Sequence, residues 1–509
     1  MNNRFAVEKT EGKDNLAALM NNLTAVRAVV SAVSGTLGPK GLDCMLVDQN
    51  ARVLVTNDGV TILKYMDATH PAARMIINIA EAQDEKVGDG TTTATIIAGA
   101  ILEEAASAAV RGVPVIKIIQ GMHWGFAEAL KILEKQREFL TDLDDPRLSN
   151  IALIAARGRK DIADLVVSAA KKTGREKLMD RGFKLAECIL AMEGLESKVY
   201  NGVIIGKQAM HRQMPKKMLK TKVLVVDDAL EPEDMEAEAL ATETGFRQYL
   251  KLQEGFLANL SQLIDEGVGL VLADRSIFSQ AEQLFLDKGV IAVQRVANKE
   301  LMRAAELCGA TAVKKTVFSK PASQLACYLG EVDAVTTDEF NQLINIEKGD
   351  KKIVTICLGA STTDVVEEKE RIAKDAASAV QAAINEGFVP GGGTSELLIA
   401  RTLNEQIQQK SGLHVYGVKC LIEALKRPLA QIAANASLNP LEKLEEIWHS
   451  SLAAPGLDCD SGQVIDVVKA GILDPLLVKK YALYSAVEVA EAILRINTVI
   501  KMKQSETDS

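Results

Sequence analysis

The chain has 509 residues, 48% hydrophobic and 25% charged, enough for roughly three globular domains and too apolar for a disordered polymer. Its net charge of −9 argues against nucleic acid as a routine partner, because phosphate backbones demand a basic face. Seven cysteines lie at least 19 residues apart and five histidines are scattered, so neither disulfide nor zinc spacing is present and the thiols fit a reducing compartment.

The polar start MNNRFAVEKTEGKDN lacks an apolar signal core, and no uninterrupted apolar run approaches the ~18 residues of a membrane span. A cytoplasmic protein without membrane contact is expected. Residues 14–34 carry Leu16, Leu19, Leu23, Val26, Val30 and Val33 at helical spacing, and the helix should stop at Gly35. GTLGPKG (35–41) reads as a loop, followed by two short strands at 44–48 and 52–56 that close at Asn57-Asp58-Gly59. A long helix should start in VGDGTTTATI and run past Leu102 to Ala109, and another should fill 114–138. The acidic, proline-bearing run 142–146 marks a boundary. Beyond it, strand-like runs at 203–205, 223–227, 268–273 and 290–293 alternate with helical stretches, which predicts an α/β domain in the middle third. Residues 231–266 interrupt that unit: acidic at first, then helical, with Phe246, Tyr249, Leu250, Phe256, Leu257, Leu260 and Leu263 on one stripe. A helix from Thr363 to about Asn385 breaks at GFVPGGGT (387–394). The remainder is mostly helical apart from GILDP (471–475), and only KMKQSETDS reads as a frayed tail.

Chemistry concentrates in glycine-rich loops. In Gly88-Asp89-Gly90-Thr91-Thr92-Thr93, a carboxylate sits between two glycines ahead of three hydroxyls and an apolar helix. Two readings fit: an ordinary N-cap by Asp or Thr, or a metal–phosphate site in which a cation separates the carboxylate from the anion. Three further loops, 35–41, 56–59 and 391–393, carry similar residues, and three of the four lie within 60 residues. No G-x-x-x-x-G-K-[ST] is present.

The motifs TLGPKGLDCMLVD, TNDGVTIL, VGDGTTTATI, VPGGGTSE and GILDP stand in the order and rough spacing found in chaperonins, the ring-forming, ATP-driven folding machines. HPAARMI and EAQDEKVGDGTTTA resemble the group II, thermosome-type branch, with the smaller group II-like set found in bacteria as the alternative membership. The resemblance covers essentially the whole chain. It implies a mixed α and α/β subunit of three domains: a mainly helical equatorial ATPase domain (1–141 and 394–509), a small intermediate domain (142–205 and 357–393) and an α/β apical domain (206–356). Residues 231–266 resemble the helical protrusion that the branch uses as a built-in lid.

The same resemblance assigns roles. Asp89 would hold Mg2+, and Gly90, Thr91, Thr92 and Thr93 would contact the phosphates of ATP. Leu37, Gly38 and Pro39, with Gly391 and Gly392, would line the nucleotide, and Asp474 would hold the ribose. Asp58 and Asp375 would activate water; Asp375 lies 16 residues before Gly391, at the family spacing. By itself, Asp375 in RIAKDAASAV reads as a solvated helix acid. Where the branch carries a Thr-Ser-Leu motif and a lysine that senses the γ-phosphate, this chain has NIALIAARGRKDIADLVV, shorter and without the hydroxyls. Lys160 is assigned that role, with Arg157 as the alternative. Expected partners are identical subunits in a stacked double ring, about eight per ring, and non-native client proteins met by Phe246, Tyr249, Leu250 and Phe256, with no separate lid protein. A plain soluble ATPase and a non-catalytic scaffold are the rival readings.

Overall fold

The computed structural model describes residues 3–49, 51, 53–233, 242–349, 351–408 and 410–496. Its chain divides into two compact units, one formed by Met1–Ala170, Arg175–Ala186 and Arg371–Ser509, the other by Lys171–Gly174 and Glu187–Glu370. Both ends of the sequence therefore build the first unit, and the middle forms the second. The architecture is mixed α and α/β.

The first unit is helical. At its centre runs Thr91–Val110, whose alanines and isoleucines are buried on nearly every side. Among the described residues this is the one helix long and apolar enough to cross a membrane, a feature not expected from uninterrupted apolar runs; most of it is core. A helix apolar all round belongs inside a protein. Asn3–Ser34, Pro71–Val87, His414–Asn435 and Leu476–Leu494 pack around it. Small residues permit close contact. A Cβ on Gly121 would strike the carbonyl of His414, and one on Gly417 the carbonyl of Ile118, so the helices Val115–Lys135 and His414–Asn435 meet backbone to backbone. The first helix begins at Asn3, earlier than its pattern suggested, and stops at Ser34 as Gly35 dictates. Cys44–Val47 and Val53–Thr56 pair as the expected antiparallel hairpin.

The second unit carries a six-stranded sheet in the order Val203–Ile205, Leu343–Glu347, Gly330–Asp338, Lys217–Val226, Val268–Ala273 and Ile291–Val293. The last three strands are parallel and the others antiparallel. Val268–Ala273 is buried at every position, as a parallel strand covered on both faces should be. A three-stranded sheet joins Ile189–Glu193, Val354–Ala360 and Lys198–Asn201.

The helix Glu243–Asp265 belongs to this unit, while residues 234–241 of the expected protrusion lie outside the described residues. Its apolar stripe divides. Phe246 and Leu250 are 52% and 41% exposed and Tyr249 is half-buried. Phe256, expected on the exposed stripe, is instead 4% exposed and meets Phe278 and Phe318 edge-on, at ring separations of 6.4 and 5.8 Å. Leu260 and Leu263 join the same core. One stripe thus serves two purposes, because only the second half of the helix lies over the sheet unit's core.

Candidate active site

Three glycine-rich loops of the first unit, at 56–59, 88–93 and 391–393, converge. Pro71–Val87 ends at Gly88 in the left-handed conformation, φ 71°, and Gly90 repeats it at φ 80° immediately before Thr91–Val110. Two left-handed residues around one aspartate explain the Gly-Asp-Gly pattern, since side chains resist that region. Gly90 is the N-cap and no side chain caps the helix. Asp89 Oδ1 instead accepts from Gly90 N at 2.6 Å. The first intrahelical bond runs from Ala94 N to Gly90 O, which leaves the N–H groups of Thr91, Thr92 and Thr93 without an intrahelical acceptor. Of the two readings of this segment, the ordinary side-chain N-cap is excluded.

Asp58 stands opposite. It caps the Gly59–Tyr65 helix, its Oδ2 accepting from Thr61 N at 3.1 Å and from the Thr61 hydroxyl. Gly59 is pressed against the threonines, for an added Cβ would collide with Thr92 Oγ1. Gly88 touches the Thr363–Glu386 helix in the same way, at Ser378, one turn after Asp375. Asp375 is thereby brought in from a distant part of the sequence.

Leu37, Gly38 and Pro39 form a turn held by the Asn435 amide, which donates to Ser34 O at 2.9 Å and Leu37 O at 2.8 Å. Gly391 N donates to Ile472 O at 2.9 Å, and Phe388–Pro390 pairs with Leu473–Pro475 so that Val389 faces Asp474. The position of a Cβ on Gly391 lies 3.1 Å from Asp474 Oδ1, so glycine is what lets loop and carboxylate meet. A second helix, Thr394–Ile407, starts here with left-handed Gly393 as N-cap and again no side-chain cap.

Electrostatically this is a carboxylate cluster. Asp89 is pushed up to about 6, mainly by desolvation and then by Asp474; the Gly90 N–H, Lys479 and Arg157 pull it back. Asp375 is raised well above the carboxylate range by desolvation, opposed by Arg157 and reinforced by Asp58, Asp89 and Asp84. Three buried acceptors around these residues, Asn57 Oδ1, Gln83 Oε1 and Glu396 Oε2, have no hydrogen-bond partner among the described residues. A site so rich in acceptors suits a cation. Among the described residues no three metal-ligating side chains stand close enough to cage one alone. Magnesium takes one or two carboxylates and completes its shell with water and phosphate oxygens.

Arg157, the alternative in the sequence, is the cation that the structure brings to Asp375, at 3.4 Å. Lys160 is exposed at the start of Lys160–Thr173, and no hydrogen bond or ion pair with a site residue is found for it among the described residues. Arg157 adopts φ 55° and is followed by Gly158 at φ 79°, a turn that ends the Pro146–Ala155 helix. Sequence reasoning missed three other residues. Gln83 donates to Asp89 O at 2.8 Å, and Lys479 joins Asp474 and Glu396, each at 2.8 Å. The available signals were charged residues within otherwise apolar helical runs, Glu396 just past the triple glycine and Lys479 just past GILDP.

A profile of the TCP-1/cpn60 chaperonin family matches residues 29–504. The chain is similar to thermosome subunit 1 of Haloferax volcanii, 34% identical over 97% of this chain and 90% of the relative. It is also similar to the thermosome subunit alpha of Archaeoglobus fulgidus, 33% identical over 98% and 94%. A crystal structure of a group III chaperonin in the open state superposes with a TM-score of 0.86 at 42% identity, covering 96% of this chain and all of that one. The chain therefore belongs to the TCP-1/cpn60 chaperonin family, on its thermosome-like, group II side, whose members are ATP-dependent folding chaperones.

Proposed function

We propose that the chain is one subunit of a cytoplasmic double ring of identical copies, about eight per ring, that encloses non-native proteins and is driven by Mg-ATP hydrolysis. The observation that carries this reading is the convergence of Asp58, Asp89 and Asp375 on a glycine-led helix start with uncapped N–H groups. Asp89 would hold magnesium, which supplies charge neutralisation at the phosphates. The N–H groups of Thr91, Thr92 and Thr93, backed by the positive end of their helix, bind phosphate oxygens. Asp375, with its raised proton affinity, accepts the proton of the attacking water. Asp58, locked through Oδ2 by Thr61, orients that water with its other oxygen. Arg157 takes the γ-phosphate-sensing role assigned to Lys160, since its guanidinium already stands at Asp375. Asp474 holds the ribose, and the turns at Leu37–Pro39 and Gly391–Gly392 let the backbone close on the nucleotide.

The equatorial, intermediate and apical division stays part of this proposal, as does the built-in lid at 231–266, now with Phe246, Tyr249 and Leu250 as its contact residues. Particle mass together with ATP-dependent refolding of a denatured client, with and without magnesium, tests the reading. A ring that refolds clients only with Mg-ATP is expected. A stable monomer or dimer that hydrolyses ATP would instead support the plain ATPase.

A further inference from the structure

We propose that Lys479 positions the Asp474 carboxylate and thereby sets the preference of the site for nucleotides that carry a complete ribose. The inference rests on the reading of Asp474 as the ribose contact.

Lys479 lies on Leu476–Leu494, little more than a turn beyond Asp474. Its side chain is 8% exposed, and its ammonium makes two ion pairs, to Asp474 Oδ2 and to Glu396 Oε1, both at 2.8 Å. Glu396 is 2% exposed and sits in the first turn of Thr394–Ile407. A lysine stem has four rotatable bonds and is ordinarily mobile. Here burial and a second anchor fix it. An aspartate gripped by one oxygen cannot turn its carboxylate freely, and Asp474 Oδ1 is left facing the Gly391 loop, 3.1 Å from where a Cβ would stand. The strand pairing of Val389 with Asp474 fixes the backbone, and Lys479 fixes the remaining torsion.

Stability alone does not account for this arrangement. A buried ion pair gains little over well-packed apolar side chains of equal volume. Two acids facing one base also leave a net negative charge, and Glu396 Oε2 has no partner among the described residues. Desolvation opposes the charge on Lys479, but Asp474 and Glu396 outweigh it and hold the ammonium firmly protonated. An ammonium held between two carboxylates suits a group that must present one carboxylate oxygen in a fixed direction.

The test compares KM for ATP with KM for 2′-deoxy-ATP and 3′-deoxy-ATP in the intact oligomer. The wild type should prefer ATP by about tenfold or more, the worth of a hydrogen bond to a charged group. Asp474→Ala should bring the ratio near one. Glu396→Gln combined with Lys479→Met removes both partner charges and should do the same; adding Asp474→Ala should change the ratio no further. Lys479→Arg, which keeps the charge, should retain most of the preference. A purely structural Lys479 would weaken all three nucleotides alike and leave the ratio intact in the Glu396/Lys479 variant, which overturns the proposal. An unchanged ratio in Asp474→Ala overturns the ribose reading itself. If the Glu396/Lys479 variant does not fold, Lys479→Gln, too short to hold both carboxylates, should lower the ratio about threefold, and an unaltered ratio there is equally decisive against the proposal.

Discussion

Arg157 and Asp375, 218 residues apart in sequence, meet as an ion pair 3.4 Å long. Arg157 restrains the rise of Asp375, against desolvation and the carboxylates of Asp58, Asp89 and Asp84. Removing it should raise the proton affinity of Asp375 further. A base must be ionised to act, so the acid limb of the kcat profile moves to higher pH in Arg157→Gln. A pH–rate profile checks this. An acid limb that stays in place would mean that Asp375 does not limit turnover.

Asp375→Ala should bind ATP with near wild-type affinity and hydrolyse it at least ~100-fold more slowly, the usual worth of a positioned base. Single-turnover kinetics separate the two steps. Near-normal turnover would leave Asp375 an ion-pair partner of Arg157 with no part in hydrolysis.

Asp89 is held in surroundings that disfavour its charge, desolvated and facing Asp474. Asp89→Asn should therefore raise the melting temperature of the nucleotide-free protein while weakening Mg-ATP binding. The two effects have opposite signs, which ordinary structural damage cannot produce. Thermal melts with and without Mg-ATP read both.

The split stripe of Glu243–Asp265 separates two variants. Phe256→Ala removes a ring from the Phe278–Phe318 cluster and should cost about 3–5 kcal/mol of stability. Phe246→Ser, at a half-exposed position, should leave stability within about 0.5 kcal/mol and impair ATP-dependent protection of an enclosed client from protease. A deletion meant to remove the lid alone must stop before Phe256. Intact protection in Phe246→Ser and in such a deletion would dispose of the built-in lid.

The sequence is legible where a local rule suffices. Gly88, Gly90, Gly392 and Gly393 all have positive φ, and the clustering of glycine with acidic and hydroxyl residues is enough to mark these loops as special backbone. The continuous apolar runs of the parallel strands are legible for a similar reason. Gly330–Asp338 and Leu343–Glu347, antiparallel and mixed in polarity, give no such signal. Nor do Arg157 or Lys479, whose partners are set by tertiary packing. The burial of Phe256 escapes the pattern because helical spacing identifies a stripe without saying what lies over each end of it.

The stitches that close the site also fix when it can exist. Gln83 reaches Val478 O across 395 residues, and Asn435 reaches Leu37 O across 398. At ordinary rates of synthesis, roughly 20–80 s separate the emergence of one partner from that of the other. Throughout that interval the Thr91–Val110 helix, apolar on nearly every face, waits without Leu476–Leu494 to cover it. A nascent subunit of this folding machine cannot gain nucleotide to hasten its own assembly, and until Leu476–Leu494 leaves the ribosome it presents the kind of surface that chaperones recognise.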